Sequence, residues 1–420
     1  VTTRAIRRRS FLTGAGALGV SLAMPARGFA AMVAEQVVRL PLPPPITAAE
    51  RGQRLARAQQ LLRANRLGAM LVESGPSLDY YTGIQWWRSE RLTGVVIPAE
   101  GAPIVVTPFF EQPSIAEQLQ VSSEIRTWQE DDEPLKLVGD FLRERKVTGA
   151  PIAFEETNRF FLGDRLAAQL PGARIVNANA VVRAQRMIKS PAELALMQAA
   201  SDITIAAFRT AHANLKPGMS SNDINAAIVA ASAALGGSGA GNLVLINEAS
   251  ALPHGSKKPH SLARGDLVLI DGGCSVHGYQ SDISRTFIFD GTPTPDQRKV
   301  WEQMHRGQQI VLAAAKVGAT AGSVDDVVRN AYVSWGYGPD YKLPGLSHRT
   351  GHGIGMEGHE PVNLVRGETT RLAPGMCFSN EPGIYLPGRF GVRLEDCFHM
   401  TASGPKWFTT PPPSIDQPLG

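Results

Sequence analysis

Cysteine is nearly absent from this sequence: three in 420 residues, at positions 274, 377 and 397. An odd number with no close pair excludes a disulfide framework and a zinc knuckle. Buried, small apolar positions are the expectation for all three, with a single bridge as the alternative in an exported protein. No long low-complexity tract is present, and the first half of the chain carries no nucleotide-binding loop and no nucleophile triad motif. Acidic residues are missing from the first thirty positions, which hold Arg4, Arg7, Arg8, Arg9 and Arg27. The formal charge is +4, and without those five arginines it is −1. A body so close to neutrality gives no electrostatic reason to expect nucleic acid or an acidic membrane as partner. What remains is a globular composition, 43% hydrophobic and 19% charged, in a chain long enough for two domains.

The basic start reads as a targeting segment. Arg8-Arg9-Ser10-Phe11-Leu12 matches the twin-arginine export pattern, followed by the uncharged stretch Thr13–Met24 and small residues around Gly28–Ala31. The apolar run is too short for a stable membrane anchor. Residues 1–31 are therefore expected to be a signal peptide and the protein periplasmic or otherwise exported. Pro41-Leu42-Pro43-Pro44-Pro45 makes 32–46 a stiff connector.

Residues 47–182 read as an α/β domain. Thr47 with Glu50 forms a capping box ahead of an amphipathic helix through Leu55, Ala58, Leu61 and Leu62. A strand at 68–73, a hairpin from 92–98 and 103–108, a helix at 135–145 and a strand at 151–155 follow. Trp86 and Trp87 stand beside a glycine, as a core plug or as an apolar wall over a site.

Residues 183–408 form a second domain, with a Pro-rich tail at 409–420. Ser190-Pro191-Ala192-Glu193 opens a long helix, Ser220 with Asp223 a second, Thr294 with Gln297 a third, and Ser323 with Asp326 a fourth. Gly236–Gly241 reads as a glycine-rich break, and 262–271 and 285–289 as strands. The domain is duplicated internally. Lys216-Pro-Gly218 matches Lys316-Val-Gly318. Leu262-Ala-Arg-Gly265 leads in nine residues to Asp271, and Leu372-Ala-Pro-Gly375 leads in nine to Glu381. Each half then offers a second acid, Asp282 or Glu395.

Four carboxylates on apolar strands must be neutralised or paired. Arg285 and Arg393 cannot offset four acids, whereas two divalent ions can. Between His348 and His359, glycines at 351, 353, 355 and 358 let the backbone pass close to an ion, with His352 as one neutral ligand. Oxygen donors with one imidazole suit Mn²⁺ foremost, then Co²⁺, Zn²⁺ or Fe²⁺. Two such ions can hold a bridging water, make hydroxide available at neutral pH and polarise a carbonyl, which points to hydrolysis of an amide or related bond. His254, His348 and His359 are the spare imidazoles for the oxyanion and the leaving group.

The combination of Pro253-His254-Gly255, Asp266 to Asp271, Ser281-Asp282 to Thr286, Gly351-His352-Gly-Ile-Gly355, His359-Glu360-Pro361, Asn380-Glu381-Pro382-Gly383 and Arg393-Leu-Glu395-Asp396 resembles the pita-bread metallopeptidases. The resemblance runs over roughly residues 50 to 405, on the scale of two domains. It implies a creatinase/prolidase-type α/β N-terminal domain and an α+β pita-bread catalytic domain with a pseudo-two-fold. Asp271 would chelate one metal and His352 with Glu381 the other, while Asp282 and Glu395 bridge. Glu381 would also accept the proton of the attacking water. His254 and His359 would stabilise the reacting carbonyl, His348 would lie against the substrate, and Arg393 would support the carboxylates. Trp86, Trp87 and Arg366 are nominated for the substrate pocket.

Within that family, creatinase lacks the ligand set and methionine aminopeptidases lack the large N-terminal domain. The resemblance therefore implies an Xaa-Pro peptidase, a dipeptidase or an aminopeptidase, acting on proline-containing peptides as a homodimer. The same dinuclear site serving another amide, ester or phosphotriester hydrolysis, or a lyase reaction on a small molecule, is a second expectation. A non-catalytic peptide-binding protein is a third.

Overall fold

Short β-branched runs separated by amphipathic helices pair into a mixed sheet in the N-terminal part of the chain. The computed structural model describes residues 26–419. Six strands stand in the order Glu124–Trp128, Ile104–Pro108, Gly94–Pro98, Ala69–Glu73, Ile152–Phe154, Ile175–Asn177. The expected hairpin is there, with Val95 opposite Val105. The outer strands join in parallel through helices, such as Pro134–Glu144. Thr47 caps the first helix of this part by accepting from the Glu50 amide. The Glu50 carboxylate does not return the bond as a full box requires; it turns to Arg54 and to Ser190 in the second half of the molecule.

The signal pattern at 8–12 lies outside the described residues. Of the segment beyond it, Ala26–Ala34 is helical with Val33 fully buried. The Leu40 amide donates to the Leu235 carbonyl at 2.9 Å and Leu42 lies beside Gly236, so the start of the proline stretch is held at the C-terminal end of the helix Ser221–Leu235 instead of bridging open space. The C-terminal tail is also packed: Ile415 is buried and Asp416 pairs with Arg298.

The second half repeats one unit of two helices followed by strands. Pro191–Ala213 and Ser221–Leu235 precede a sheet ordered Ile283–Ile288, Leu267–Val276, Ser238–Ile246. Pro295–Ala314 and Ala321–Ser334 precede a sheet ordered Glu360–Leu364, Gly351–Gly353, Cys377–Asn380, Asp396–Thr401, Gly404–Trp407. The repeat holds at single bonds. Gly218 donates to Leu262 and Gly318 to Leu372; Leu262 donates to Met219 and Leu372 to Ala319. In both halves a residue two after the glycine, Ser220 or Thr320, caps the second helix. The fourth cap is therefore Thr320, three residues before the Ser323 expected from sequence. The two sheets meet edge to edge where Ser284 and Glu395 exchange both backbone bonds at 3.1 Å.

Two strand boundaries differ from the sequence reading. The glycine-rich break is half absorbed into the strand Ser238–Ile246, with a bulge between Ser238 and Gly241, since glycine tolerates the local kink. The strand holding Asp271 runs Leu267–Val276, so this acid sits mid-strand and not at a strand end. Gly272 and Gly273 carry the ladder on, and a Cβ at Gly273 would stand 1.9 Å from the Ser281 carbonyl oxygen. All three cysteines are buried free thiols.

Candidate metal centre

Register brings the acids together. Asp271 lies directly opposite Ser284, and Ser284 bridges to Glu395 across the seam between the two sheets. Asp282 immediately precedes the strand Ile283–Ile288, and Glu381 immediately follows Cys377–Asn380. His352 is the middle residue of Gly351–Gly353, where both glycines are required: a Cβ at 351 would meet the Ser379 carbonyl oxygen at 2.2 Å, and one at 353 the Glu360 carbonyl oxygen at 2.6 Å.

Three ligand triads result among the described residues, Asp271–Asp282–Glu395, His352–Glu381–Glu395 and Asp282–His352–His359, each with its donor atoms within 4.8 Å of one another. The first two share Glu395. His352 Nε2 stands 3.2 Å from Glu381, 3.8 Å from Asp282 and 3.9 Å from Glu395. Its Nδ1 lies 3.1 Å from the Gly353 carbonyl oxygen and donates to it, which leaves Nε2 to face the acids. Nε2 is a donor to Glu381 while the ring is protonated, since burial opposes the charge but that carboxylate outweighs it and raises the pKa, and a lone pair when a cation is bound.

The cluster does not satisfy itself. Among the described residues only Asp271 of the four acids bonds an arginine, Arg393; Arg285 is spent on Asp396 at 2.7 Å. Ser284 Oγ lies 2.6 Å from Asp271 and 2.9 Å from Glu395, yet its one proton serves only one of them. Glu395 Oε1 is buried with no hydrogen-bond partner. Burial, then the neighbouring Asp271 carboxylate, push Asp282 up to about 7. Burial and Asp282 raise Glu395 well above the carboxylate range. Glu381 goes the other way: burial opposes ionisation, but the His352 ring outweighs it and holds the group at about 2. An orphaned carboxylate oxygen among acids that repel one another is the donor set a divalent cation fits.

The surrounding residues form a cavity of about 510 Å³, lined by Pro253, His254, His348, Arg349, His359 and Arg393 together with the five ligand candidates. His359 stands at the cavity mouth beside His352, ring centroids 4.0 Å apart; partial desolvation, then the His352 charge, bring its imidazole down to about 4, so it is neutral at neutral pH. His348 has both ring nitrogens engaged: Nδ1 lies 2.7 Å from the Arg349 carbonyl oxygen and Nε2 2.8 Å from Tyr385 Oη. Burial lowers its pKa, and a neutral ring that donates from Nδ1 accepts the tyrosine proton at Nε2.

Trp86, Trp87 and Arg366 do not line this cavity. The two indoles stack on each other at 4.7 Å, with Trp86 packed against the core and Trp87 70% exposed. Arg366 is drawn outward by Asp326 and Asp340. Two functional residues escape the sequence reading. Tyr385 is fully buried, raised to about 12 by burial, and joins His348 to Arg393. Ser284 joins Asp271, Glu395 and Arg393. For Ser284 a signal existed, since it sits two residues after Asp282 on the same face of a strand. For Tyr385 none did.

The chain matches metallopeptidase family M24 over residues 195–402 and the creatinase/prolidase N-terminal domain over residues 54–188. It is 34% identical to the probable dipeptidase PepE of Mycobacterium tuberculosis across 84% of this chain and 92% of that protein. It is 29% identical to the Xaa-Pro dipeptidase of Lactobacillus helveticus, across 84% and 96%. Among solved structures, dipeptidase PepE from Mycobacterium ulcerans superposes with a TM-score of 0.80 at 32% identity, covering 88% of this chain and 98% of that one. The prolidase from Thermococcus sibiricus gives 0.78 at 25%, covering 86% and 96%. The protein belongs to metallopeptidase family M24, with the pita-bread fold and its creatinase-type N-terminal domain.

Proposed function

We propose that this metallopeptidase is an exported Xaa-Pro dipeptidase that holds two divalent ions, manganese first among them, and works as a homodimer. The observation that carries the reading is the pair of ligand triads meeting at Glu395. Ions bound there would make a water acidic enough to ionise near neutral pH and would polarise the scissile carbonyl. The chain's own residues supply the rest. Glu381, held ionised, accepts a proton from the attacking water. His254 and His359 donate to the carbonyl oxygen as it gains charge. Arg393 fixes Asp271 while the Tyr385 hydroxyl holds His348 at the cavity wall. A dipeptidase is preferred to an aminopeptidase because relatives at 29–34% identity carry dipeptidase names.

Metal-replete protein is expected to hydrolyse Xaa-Pro dipeptides and to leave Xaa-Pro-Yaa tripeptides uncut, as read by release of the free N-terminal amino acid, which cleavage of either peptide would liberate. Tripeptide cleavage at a comparable rate contradicts the dipeptidase reading. Export rests on Arg8-Arg9 with the apolar run behind it. Replacing both arginines by lysine is expected to move the full chain from the exported to the cytoplasmic fraction of expressing cells, and an unchanged distribution counts against it.

A further inference from the structure

His348 reaches the cavity from residues 335–350, between the helix Ala321–Ser334 and the strand Gly351–Gly353, a stretch with no helix or strand of its own. Beyond single bonds such as that of Gly345 with Tyr385, its carbonyls have no ladder to pair with. One side chain takes three of them. Arg329, 2% exposed, donates from Nη1 to Asp340 O at 2.9 Å and Leu346 O at 3.0 Å, and from Nη2 to the carbonyl of His348 itself. Its Nε donates to Asp325 Oδ2 at 2.7 Å, one turn earlier on the same helix, and Tyr341 covers the guanidinium plane at 4.0 Å. Asp325, wholly buried, accepts from the amide and hydroxyl of Thr350 and from the Arg366 amide. One helical turn thus grips residues 340, 341, 346, 348, 350 and 366. Neither member of the pair lines the cavity.

We propose that the Asp325–Arg329 pair is a positioning device for His348, holding the backbone that carries its imidazole so that the ring stands between Tyr385 and the cavity. The inference rests on reading that cavity as the hydrolytic site. The planar fork is the feature that matters, because an ammonium cannot reach three separated carbonyls at once.

Arg329→Lys keeps the charge and the buried stem. It is expected to lower kcat/KM on an Xaa-Pro dipeptide by about 10²-fold, the scale of a displacement of about 1 Å at a reacting group, with bound metal unchanged. In a His348→Ala background the same substitution is expected to add nothing, because both act through one ring. Losses that multiply, as a general loosening of the fold would give, overturn the proposal. If the wild type fails to turn over the dipeptide, the functional reading fails first. The test then passes to the His348 ring signal in proton NMR, assigned by its disappearance in His348→Ala. That signal shifts in Arg329→Lys and holds in Arg366→Ala, whose side-chain pairs are at the surface. A signal unmoved by Arg329→Lys overturns the proposal. Should Arg329→Lys not fold, Asp325→Asn, which keeps the shape, is read in the same two ways.

Discussion

Asp282→Asn is expected to abolish hydrolysis and, at the same time, to raise the melting temperature of the metal-free protein. Both effects follow from one geometry. Asp282 stands with Asp271, Glu381 and Glu395 around a space in which, among the described residues, Arg393 and the His352 ring answer their charge. Its replacement by a neutral amide removes a donor from the first triad, so the loss of activity should reach roughly 10³-fold or more, beyond the 10–100-fold typical of residues that only orient ligands. Without metal, the same amide removes one member of a repelling set. Because the folded protein holds the Asp282 proton up to about 7, against 3.8 for the free side chain, the metal-free wild type binds more protons folded than unfolded in that window. Its stability therefore falls as pH rises from about 4 to about 7, and the variant should lose the share of that slope that Asp282 contributes, keeping the part due to Glu395. Thermal melts with and without chelator, run beside the peptidase assay, read both. A variant that still cleaves, or whose metal-free form melts lower than the wild type, contradicts the account.

Glu360→Gln is expected to cost about 3–5 kcal/mol of stability, the usual consequence of leaving a buried partner charge uncompensated. Glu360 is 4% exposed and accepts from Lys189 at 2.9 Å, from Arg186, and from the amides of Met356 and Glu357. This ties the turn just before His359 to the segment that leads from the N-terminal sheet into the long helix Pro191–Ala213. Burial alone would push the carboxyl up, but Lys189 and then Arg186 outweigh it and bring Glu360 down to about 2 from 4.5. A depressed folded value means that the stabilisation is present above about 4.5 and lost as pH falls towards 2. The variant should therefore be weaker at neutral pH and flatter on the acid limb, in urea titrations between pH 2 and 7. Equal stability at pH 7 would show that the pair of cations is satisfied by other means.

The acids were legible in the sequence because they break a physical rule: carboxylates on apolar strands need a counter-charge, and the two half-repeats set them out in the same order. The repeat itself was legible because Leu262 and Leu372 end the same kind of turn, which the paired bonds to Gly218 and Gly318 now explain. The residues that orient the cluster were harder. Tyr385 becomes visible only when its strand Ile384–Leu386 is folded against the loop before Gly351, where the backbones of Gly345 and Tyr385 pair. Arg329 looks like any amphipathic helix position until the loop it holds is in place. Trp86, Trp87 and Arg366 show the converse. Their chemistry was suggestive, but sequence carries no direction for a side chain on an irregular segment, and here packing and surface charges take all three away from the cavity.

The proposed hydrolysis needs two ions in the site. The direct measurement is to strip the protein with chelator, add Mn²⁺ in steps, and follow hydrolysis of an Xaa-Pro dipeptide against bound metal per chain. Activity is expected to rise to a plateau at two bound ions per chain. Full activity in the stripped protein, or a plateau at one ion, contradicts a two-ion requirement.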